Sequence, residues 1–360
     1  MRFKALFLSF AFTVMTFLGQ GHALAVESCS AVFSGEKASS QVAHYEKEFE
    51  YADGKNPRLY SVLQSFISDA KKQHLQLPSD LLGTSEGEAT NNLKLARKWI
   101  KNAQIEAAKG PNLSVPENKM SFLGLAASDV YLVRLKGDEK VIFRPGIEHV
   151  ENSNGGRYEN TDGGNITIIR KTLLAYKLNR WLGLKSVPDA WIGTLNGQVG
   201  LFSEFIKHPI SDNAWSYEVH KSNDSRLKRF YDMEAFEFLI GNYEAEWGFN
   251  VLSRTKNKDM RDGEGAISAL SEVDPVVIDH DPAFIPGLSH KSLSYSASTG
   301  SNLPTRYTAS FLQKLKALTP EAVAEVLGSD ATPSEVSGIL FRRALMLRDI
   351  ELHGAESIIK

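Results

Sequence analysis

The chain has 360 residues, of which 42% are hydrophobic, 23% charged and 10% aromatic, enough apolar material for one large domain or two smaller ones. This composition excludes intrinsically disordered, collagen-like and coiled-coil proteins. The 41 Lys and Arg residues nearly balance the 43 Asp and Glu residues, so charge alone would not hold nucleic acid or an anionic membrane. The single cysteine, Cys29, excludes an intrachain disulfide and a cysteine-based zinc site.

The first 25 residues have the order of a secretory signal peptide. Arg2 and Lys4 precede an apolar stretch over residues 5–18, and residues 23–25, Ala-Leu-Ala, have the small-x-small form that signal peptidase accepts. We therefore expect cleavage near Ala25 and an exported protein, periplasmic or secreted. No later stretch reaches the length of about 18 apolar residues that a membrane helix needs, so we expect no integral membrane segment in the mature chain. An uncleaved N-terminal anchor is the alternative.

The first part of the mature chain has the periodicity of helices. Apolar residues recur at helical spacing over residues 45–109, which predicts a helical extension. Residues 110–119 hold two prolines and predict a linker before the pattern changes. Two short runs rich in β-branched and aromatic residues follow at 130–135 and 140–144, and the KGDE sequence between them predicts a β-hairpin.

The middle of the chain combines one helix with a second pair of strands. A polar, glycine-rich stretch over residues 151–165 predicts a solvated loop. The apolar pattern over residues 169–182 predicts a helix that ends at a glycine. Residues 190–194 and 199–205 predict two more strands around an Asn-Gly turn.

The second half is mostly helical. Residues 233–240 predict a buried helix, and residues 250–253 and 276–279 predict short strands. Two closing helices are predicted from Thr319, which precedes a first-turn proline, and from Thr332, whose following Pro-Ser-Glu completes a capping box. The element order therefore predicts an α+β protein.

The common catalytic motifs are missing from the sequence, which has no G-x-S-x-G, H-E-x-x-H, Walker phosphate loop or G-x-G-x-x-G. Acidic residues instead follow a predicted strand, because Asp279 and Asp281 come just after the apolar run 276–278. Carboxylate oxygens are ligands that Mg²⁺ prefers, so this strand end is a candidate metal site.

A second polar group follows the predicted helix that ends at residue 240. It consists of Asn242, Glu244, Glu246 and Asn250. A carboxylate and an amide that face Asp279 can orient a nucleophilic hydroxyl and hold a second metal-bound oxygen. The alternative is that these side chains cap turns and face solvent.

Five stretches occur in one order between residue 124 and the C-terminus. They are ASDVYLVRLKGDEKVIFRPG at 127–146, LLAYKLNRWLGLKSVPDAWIG at 173–193, DMEAFEFLIGNYEAEWGFNVLSR at 232–254, PVVIDHDPAFIPG at 275–287 and GILFRRALMLRDIELHG at 338–354. In this order they resemble the atypical kinases of the protein-kinase-like superfamily, especially type II phosphatidylinositol 4-kinases, HipA-like kinases and secretory-pathway Golgi kinases. The second stretch is the most specific, because it is similar to the pattern A-x-x-L-D-R-x-L-G-x-x-x-V-P.

The resemblance implies a two-lobed, protein-kinase-like α+β fold. It implies a small β-rich N-lobe over residues 120–207 and a helical C-lobe over residues 208–360. A signal peptide over 1–25 and a helical extension with its linker over 26–119 would precede them. It also implies ATP with Mg²⁺ or Mn²⁺ as cofactors, and a protein, a lipid or a small molecule as the phosphoryl acceptor.

The resemblance also implies roles for single residues. Arg144 would steady the nucleotide phosphates, at the strand position where the family has a lysine. Glu244 would orient the acceptor hydroxyl, with Glu246 as the alternative carboxylate. Asn250 and Asp279 would hold the metal ion.

Several of these positions depart from the family pattern. Arg144 replaces the lysine, Thr172 stands where a helix normally supplies the glutamate that pairs with it, and Glu244 replaces an aspartate. Asn250 falls one position later than usual, and a displacement of about 1 Å can cost about a hundredfold in rate. Three functions therefore stay open: a kinase, an inactive pseudokinase that acts as a binding or scaffolding module, and the same fold with changed chemistry such as nucleotidyl transfer.

Other conspicuous residues have structural interpretations. We expect Trp181 and Trp191 in the core rather than stacked on a ligand. For His280 an exposed position in a turn is favoured over a metal-ligating one. Arg342 and Arg343 are expected in surface or interlobe ion pairs.

Overall fold

The fold is taken from a computed structural model. It describes residues 58, 61–62, 65, 101–103, 105, 107–109, 112–125, 129–146, 149–151, 157–159, 164–206, 208–209, 225–242, 250–254, 273–280, 283–284, 303–354 and 358–359. The predicted signal peptide, Glu244, Glu246 and Asp281 lie outside these residues.

Strands form one large sheet and three small ones within the described residues. The strands are β1 (Asn112–Leu113), β2 (Met120–Leu125), β3 (Asp129–Arg134), β4 (Lys140–Pro145), β5 (His149–Glu151), β6 (Arg157–Glu159), β7 (Ala190–Leu195), β8 (Gln198–Glu204), β9 (His208–Pro209), β10 (Val251–Ser253), β11 (Pro275–Val277), β12 (Tyr307–Thr308) and β13 (Ile358–Ile359). The large sheet has the order β1-β7-β8-β4-β3-β2, and the small ones are β11-β10-β9, β12-β13 and β5-β6.

Both predicted hairpins are present, and their turns contain residues that tolerate a positive φ. The β3–β4 turn has φ of 86° at Gly137 and 64° at Asp138. The β7–β8 turn has φ of 49° at Asn196 and 82° at Gly197, the pattern that a two-residue turn between twisted strands requires. The stretch expected to be a solvated loop contains a third antiparallel pair, because Glu151 pairs with Arg157.

Part of the segment expected to be a linker belongs to the edge of the large sheet. Asn112 and Leu113 pair in parallel with Thr194 and Leu195. The Asn196 side chain fixes this edge, because its Nδ2 donates to the Val115 carbonyl at 3.0 Å and its Oδ1 accepts from the Val115 amide at 2.9 Å. A two-residue strand is too short to give a periodic signal in the sequence.

The described residues include five main helices, and the last two of these begin at the predicted caps. They are α1 (Gly164–Trp181), α2 (Lys228–Ile240), α3 (Ala309–Ala317), α4 (Pro320–Leu327) and α5 (Pro333–His353). The Thr319 side chain caps α4, and Thr332 forms a complete capping box with Glu335 at the start of α5. Helix α1 begins five residues earlier than the apolar pattern predicts, because the polar residues of its first turn carry no periodicity.

Apolar side chains fill two cores that share helix α1. The helical core gathers Leu174 and Leu178 of α1 with Leu239 of α2 and Ile339 of α5. On the other side, Ile169 of α1 packs with buried residues of the large sheet. Trp191 stacks on Phe202 with ring centroids 5.7 Å apart, so its predicted structural role is met.

The described helical residues of the N-terminal extension contact the last helix. Val62 is fully buried in the helical core. The Arg58 guanidinium makes two 2.7 Å hydrogen bonds to the Asp349 carboxylate of α5.

The antiparallel sheet and the separate helices confirm the α+β class. Among the described residues, no helix has the length and apolarity needed to cross a bilayer.

Candidate functional site

The ends of two paired strands bring two predicted metal ligands together. Strand β10 pairs antiparallel with β11, with Val251 opposite Val277. The ladder continues one step beyond the strands, because the Ile278 amide donates to the Asn250 carbonyl at 3.0 Å. Asn250 and Asp279 therefore lie at the same end of this ladder, although 29 positions separate them in sequence.

Asn242 ties this strand end to helix α2. Its side chain is buried, and its Nδ2 donates to the backbone carbonyl of Asp279 and to Glu237 Oε2, both at 2.8 Å. The end of α2 accounts for the position of Asn242. The helix ends at Gly241, whose φ is 70°, and the chain there turns Asn242 back toward the last turn of α2. The two bonds fix where the Asp279 backbone lies.

His280 lies beneath this strand end and is fully buried, so the prediction that it is exposed in a turn was wrong. Its Nε2 is 3.6 Å from Glu237 Oε1, and neither ring nitrogen has a hydrogen-bond partner among the described residues. The apolar strand that precedes it enters the core. The Ala283 amide then donates to the His280 carbonyl at 3.1 Å, and the Phe284 amide donates to the Ile240 carbonyl at 2.6 Å. Burial of the segment therefore includes the histidine.

Arg144 lies on the face of the large sheet that packs against α1. It is directly opposite Leu201 in the β4–β8 pair, so the two side chains project from the same face. Leu201 in turn packs against Ile169 of α1.

Thr172 on α1 does not supply a charge toward the sheet. It is buried, and its Oγ1 donates to the Ile168 carbonyl of its own helix at 2.9 Å. A neutral hydroxyl engaged in this way cannot form the ion pair that the family makes between helix and strand. Glu244 and Glu246, the candidates for the catalytic carboxylate, lie outside the described residues.

The junction beside the candidate site has a second charged group that the sequence did not single out. Arg254, just after β10, makes hydrogen bonds of 2.9–3.1 Å with the Glu204 carboxylate at the end of β8. Its Nη2 also donates to the Val187 carbonyl at 3.2 Å. These bonds join the large sheet to the small β9–β11 sheet. In the sequence, the only indication of this contact was that each of the two residues lies at the end of a strand.

Arg342 is buried, which excludes the surface position among the two placements expected for it, surface or interlobe ion pairs. It is 1% exposed, and its Nε donates to the Leu239 carbonyl at 2.8 Å. Burial lowers the pKa of Arg342 to about 9. Its neighbour Arg343 is half-buried and donates to the last carbonyls of α3, those of Leu315 and Lys316, at 2.8 Å each.

The residue types at this strand end are ones that magnesium ions use as ligands. Asp279 offers a carboxylate and Asn250 an amide oxygen, and Mg²⁺ in nucleotide sites uses one or two carboxylates plus phosphates and water. Within the described part of the chain, no three His, Cys, Asp or Glu side chains come together as a dedicated metal cluster.

The fold and this strand-end site define an α+β protein with a polar site beside a β-sheet. No family model matches the chain, and no curated protein matches it. A crystal structure of the Golgi casein kinase is similar, with 12% identity, a TM-score of 0.40 and coverage of 78% of this chain and 79% of that chain. The Helicobacter pylori proinflammatory kinase CtkA is similar with 14% identity, a TM-score of 0.38 and coverage of 67% of this chain and 100% of that chain.

Proposed function

We propose that the protein is an exported kinase-like protein that binds ATP with Mg²⁺ or Mn²⁺ and transfers a phosphoryl group to a hydroxyl. The observation that carries this proposal is the meeting of Asn250 and Asp279 at one strand end, with the Ile278 amide 3.0 Å from the Asn250 carbonyl. The acceptor hydroxyl belongs to a protein, a lipid or a small molecule.

The chemistry of the site supports nucleotide binding. Oxygen donors of Asn250 and Asp279 would hold the metal that neutralises the phosphates, and the bond from Asn242 to the Asp279 carbonyl holds this donor in place. Arg144 would add a positive charge on the helix-facing side of the sheet. A guanidinium pairs with phosphate oxygens as a planar fork, so it can replace a lysine in this role with different geometry.

A second candidate function follows from Thr172. Its hydroxyl donates within α1, and a threonine offers no carboxylate at this helix position. A site of this kind can keep nucleotide binding while it loses the precise phosphate geometry that transfer needs. The protein would then be an inactive kinase-like module that binds a partner.

The test is a thermal-shift titration of the purified protein with ATP, with and without Mg²⁺ or Mn²⁺. At about 100 times the dissociation constant, a ligand of the folded state stabilises it by about 2.7 kcal/mol. We expect a metal-dependent shift that Asp279→Ala abolishes. The matched control is Asp274→Ala, which removes a carboxylate at the other end of β11 that is 42% exposed and pairs with Arg229.

Three outcomes separate the candidates. A shift with measurable ATP turnover, both lost in Asp279→Ala and kept in Asp274→Ala, supports phosphoryl transfer. The same shift without turnover supports the inactive module. If the wild-type protein shows no shift with any metal, or if Asp279→Ala keeps the full shift, the nucleotide site proposed here is wrong.

A further inference from the structure

Helix α1 determines how the large sheet lies against the helical core. Its residues Ile169 and Leu173 pack toward the sheet, whereas Leu174 and Leu178 belong to the helical core. Helix α1 therefore links the sheet that carries Arg144 to the helical core, in addition to the direct contact of Arg254 with Glu204 between the two sheets. The contacts that hold α1 contribute to the distance between the two sides of the proposed site.

One buried ion pair joins α1 to the start of α5. Arg170 Nη1 donates to Glu335 Oε2 at 2.7 Å, and Nη2 donates to Oε1 at 2.6 Å. Arg170 is 4% exposed and Glu335 5% exposed, and Arg170 Nη1 also donates to the Asp330 carbonyl at 2.8 Å. A bidentate pair of this geometry is directional as well as strong.

The acidic partner is itself held rigidly. Glu335 is the third helical residue of α5, and its Oε2 accepts a 2.7 Å hydrogen bond from the Thr332 amide in the capping box. The Glu335 carboxylate therefore cannot follow a movement of α1 without breaking the cap of its own helix. Lys177 adds a second ion pair, 2.7 Å from Asp330, but this pair is partly exposed and contributes little.

The ion pair lies toward the helical-core side of α1. Successive residues of an α-helix are about 100° apart around its axis, so Arg170 projects about 40° from Leu174 of the helical core and about 100° from Ile169, which faces the sheet. Thr172 uses its hydroxyl within the helix and makes no charged contact toward the strand. The pair of Arg170 with Glu335 therefore holds α1 on the side that packs into the helical core.

We propose that Arg170 is a positioning residue, which fixes α1 to α5 through Glu335 and thereby holds Arg144 at a constant distance from Asp279. This inference rests on the proposed function only where it concerns nucleotide affinity. The pair is formed by two side chains of the protein itself, so we expect the arrangement of the sheet against the helical core to be the same with and without bound nucleotide.

The test combines a distance measurement with nucleotide affinity. Spin labels are attached through Lys136→Cys in the exposed β3–β4 turn and Gln313→Cys on α3, in a Cys29→Ser background. Arg170→Met removes the charge and keeps most of the side-chain length, and Lys177→Met is the matched control on the same helix. Arg170→Lys restores a charge without the bidentate fork.

We expect one narrow distance distribution in the background protein and in Lys177→Met, unchanged by ATP and Mg²⁺. In Arg170→Met the distribution should broaden, and if a tenth of the molecules keep the competent arrangement, the dissociation constant for ATP with Mg²⁺ rises about tenfold. Arg170→Lys should recover part of both. Both measurements are made well below the unfolding temperature of each variant, so that lower stability alone does not change them.

An unchanged distribution together with an unchanged dissociation constant in Arg170→Met would overturn the proposal. If Arg170→Met does not fold, Glu335→Gln breaks the charge pair while its side-chain oxygen still accepts from the Thr332 amide, and the same criteria apply to it. If the background protein binds no nucleotide, the proposed function fails, and the distance distributions alone decide whether Arg170 holds the helix.

Discussion

Burial changes the acid–base behaviour of single side chains in the helical half of the molecule. Burial raises the pKa of Asp232 on α2 to about 6, although the Thr308 hydroxyl donates to its carboxylate at 2.7 Å. The pKa of Tyr307 is raised well above its usual value, first by burial and then by the nearby Asp349 charge. Of these groups, Asp232 is the one that titrates close to neutral pH.

The first prediction concerns Asp232→Asn. Because the folded protein binds the Asp232 proton more tightly than the unfolded chain, this group adds stability as the pH falls through about 6 toward the ordinary value of 3.8. The wild-type protein should therefore gain on the order of 2 kcal/mol relative to Asp232→Asn between pH 7.5 and pH 4. The measurement is urea unfolding of both proteins across this pH range.

A control for this prediction has the opposite sign. Hydrogen bonds from its own backbone amide and from Thr319 lower the pKa of Glu321, in the first turn of α4, so its contribution to stability is lost as the pH falls. The wild-type protein should lose stability relative to Glu321→Gln in acid. Parallel curves for wild-type protein and Asp232→Asn would contradict the raised pKa of Asp232.

At the scale of the secondary-structure elements, the β4–β8 strand pair limits the size of the residue at position 200. A Cβ atom at Gly200 would lie 2.4 Å from the Arg144 carbonyl oxygen and 2.6 Å from the Phe143 ring. Phe143 is 1% exposed and packs against Phe202, so the ring has little room to move. Glycine at this position lets β8 lie beside the strand that carries Arg144.

The second prediction is that Gly200→Ala destabilises the sheet by about 2 kcal/mol or more, because an added methyl group in a packed site forces backbone and ring to shift. Gly197→Ala is the control. It has φ 82° but no atom within 4 Å of the added Cβ, so only the backbone strain of about 1 kcal/mol applies. Thermal unfolding measures both, and equal losses in the two variants would show that the close contact is unimportant.

At the scale of the whole molecule, residues of the N-terminal extension are part of the helical core rather than an appendage. Arg58 pairs with the fully buried Asp349, and this hydrogen bond is the main reason that the pKa of Arg58 is raised. His353 Nδ1 lies 3.0 Å from the same carboxylate. Arg348 of α5 also donates to Ser65 Oγ at 2.8 Å, so the extension contacts α5 at two places.

The third prediction follows from the burial of Asp349. Arg58→Ala leaves a buried carboxylate without its main partner, which typically costs about 3 kcal/mol or more. Asp349→Asn in the Arg58→Ala background should recover part of the loss, because it removes the unpaired charge. Urea unfolding measures the three proteins, and a loss below about 0.5 kcal/mol for Arg58→Ala would mean that the extension does not support the core.

Elements that depend on neighbours in sequence could be predicted from the sequence. The Asn196-Gly197 turn and the capping box at Thr332 were both located, because turns and caps need particular residues within three or four positions. Strands β3, β4, β7 and β8 were found from their alternation or their β-branched composition. The meeting of Asn250 with Asp279 was anticipated through the resemblance to a family and not from spacing.

Contacts between residues far apart in sequence could not be predicted in this way. Arg170 and Glu335 lie 165 positions apart, and neither has a local pattern that marks it as half of a buried pair. The burial of His280 and Arg342 likewise depends on which elements cover them. The residues next to each of them in the sequence do not indicate whether another element will cover it. Local sequence selects turns, caps and strands through short-range sterics and hydrogen bonds, whereas packing of separate elements sets burial and charge pairing through contacts that no short window of sequence contains.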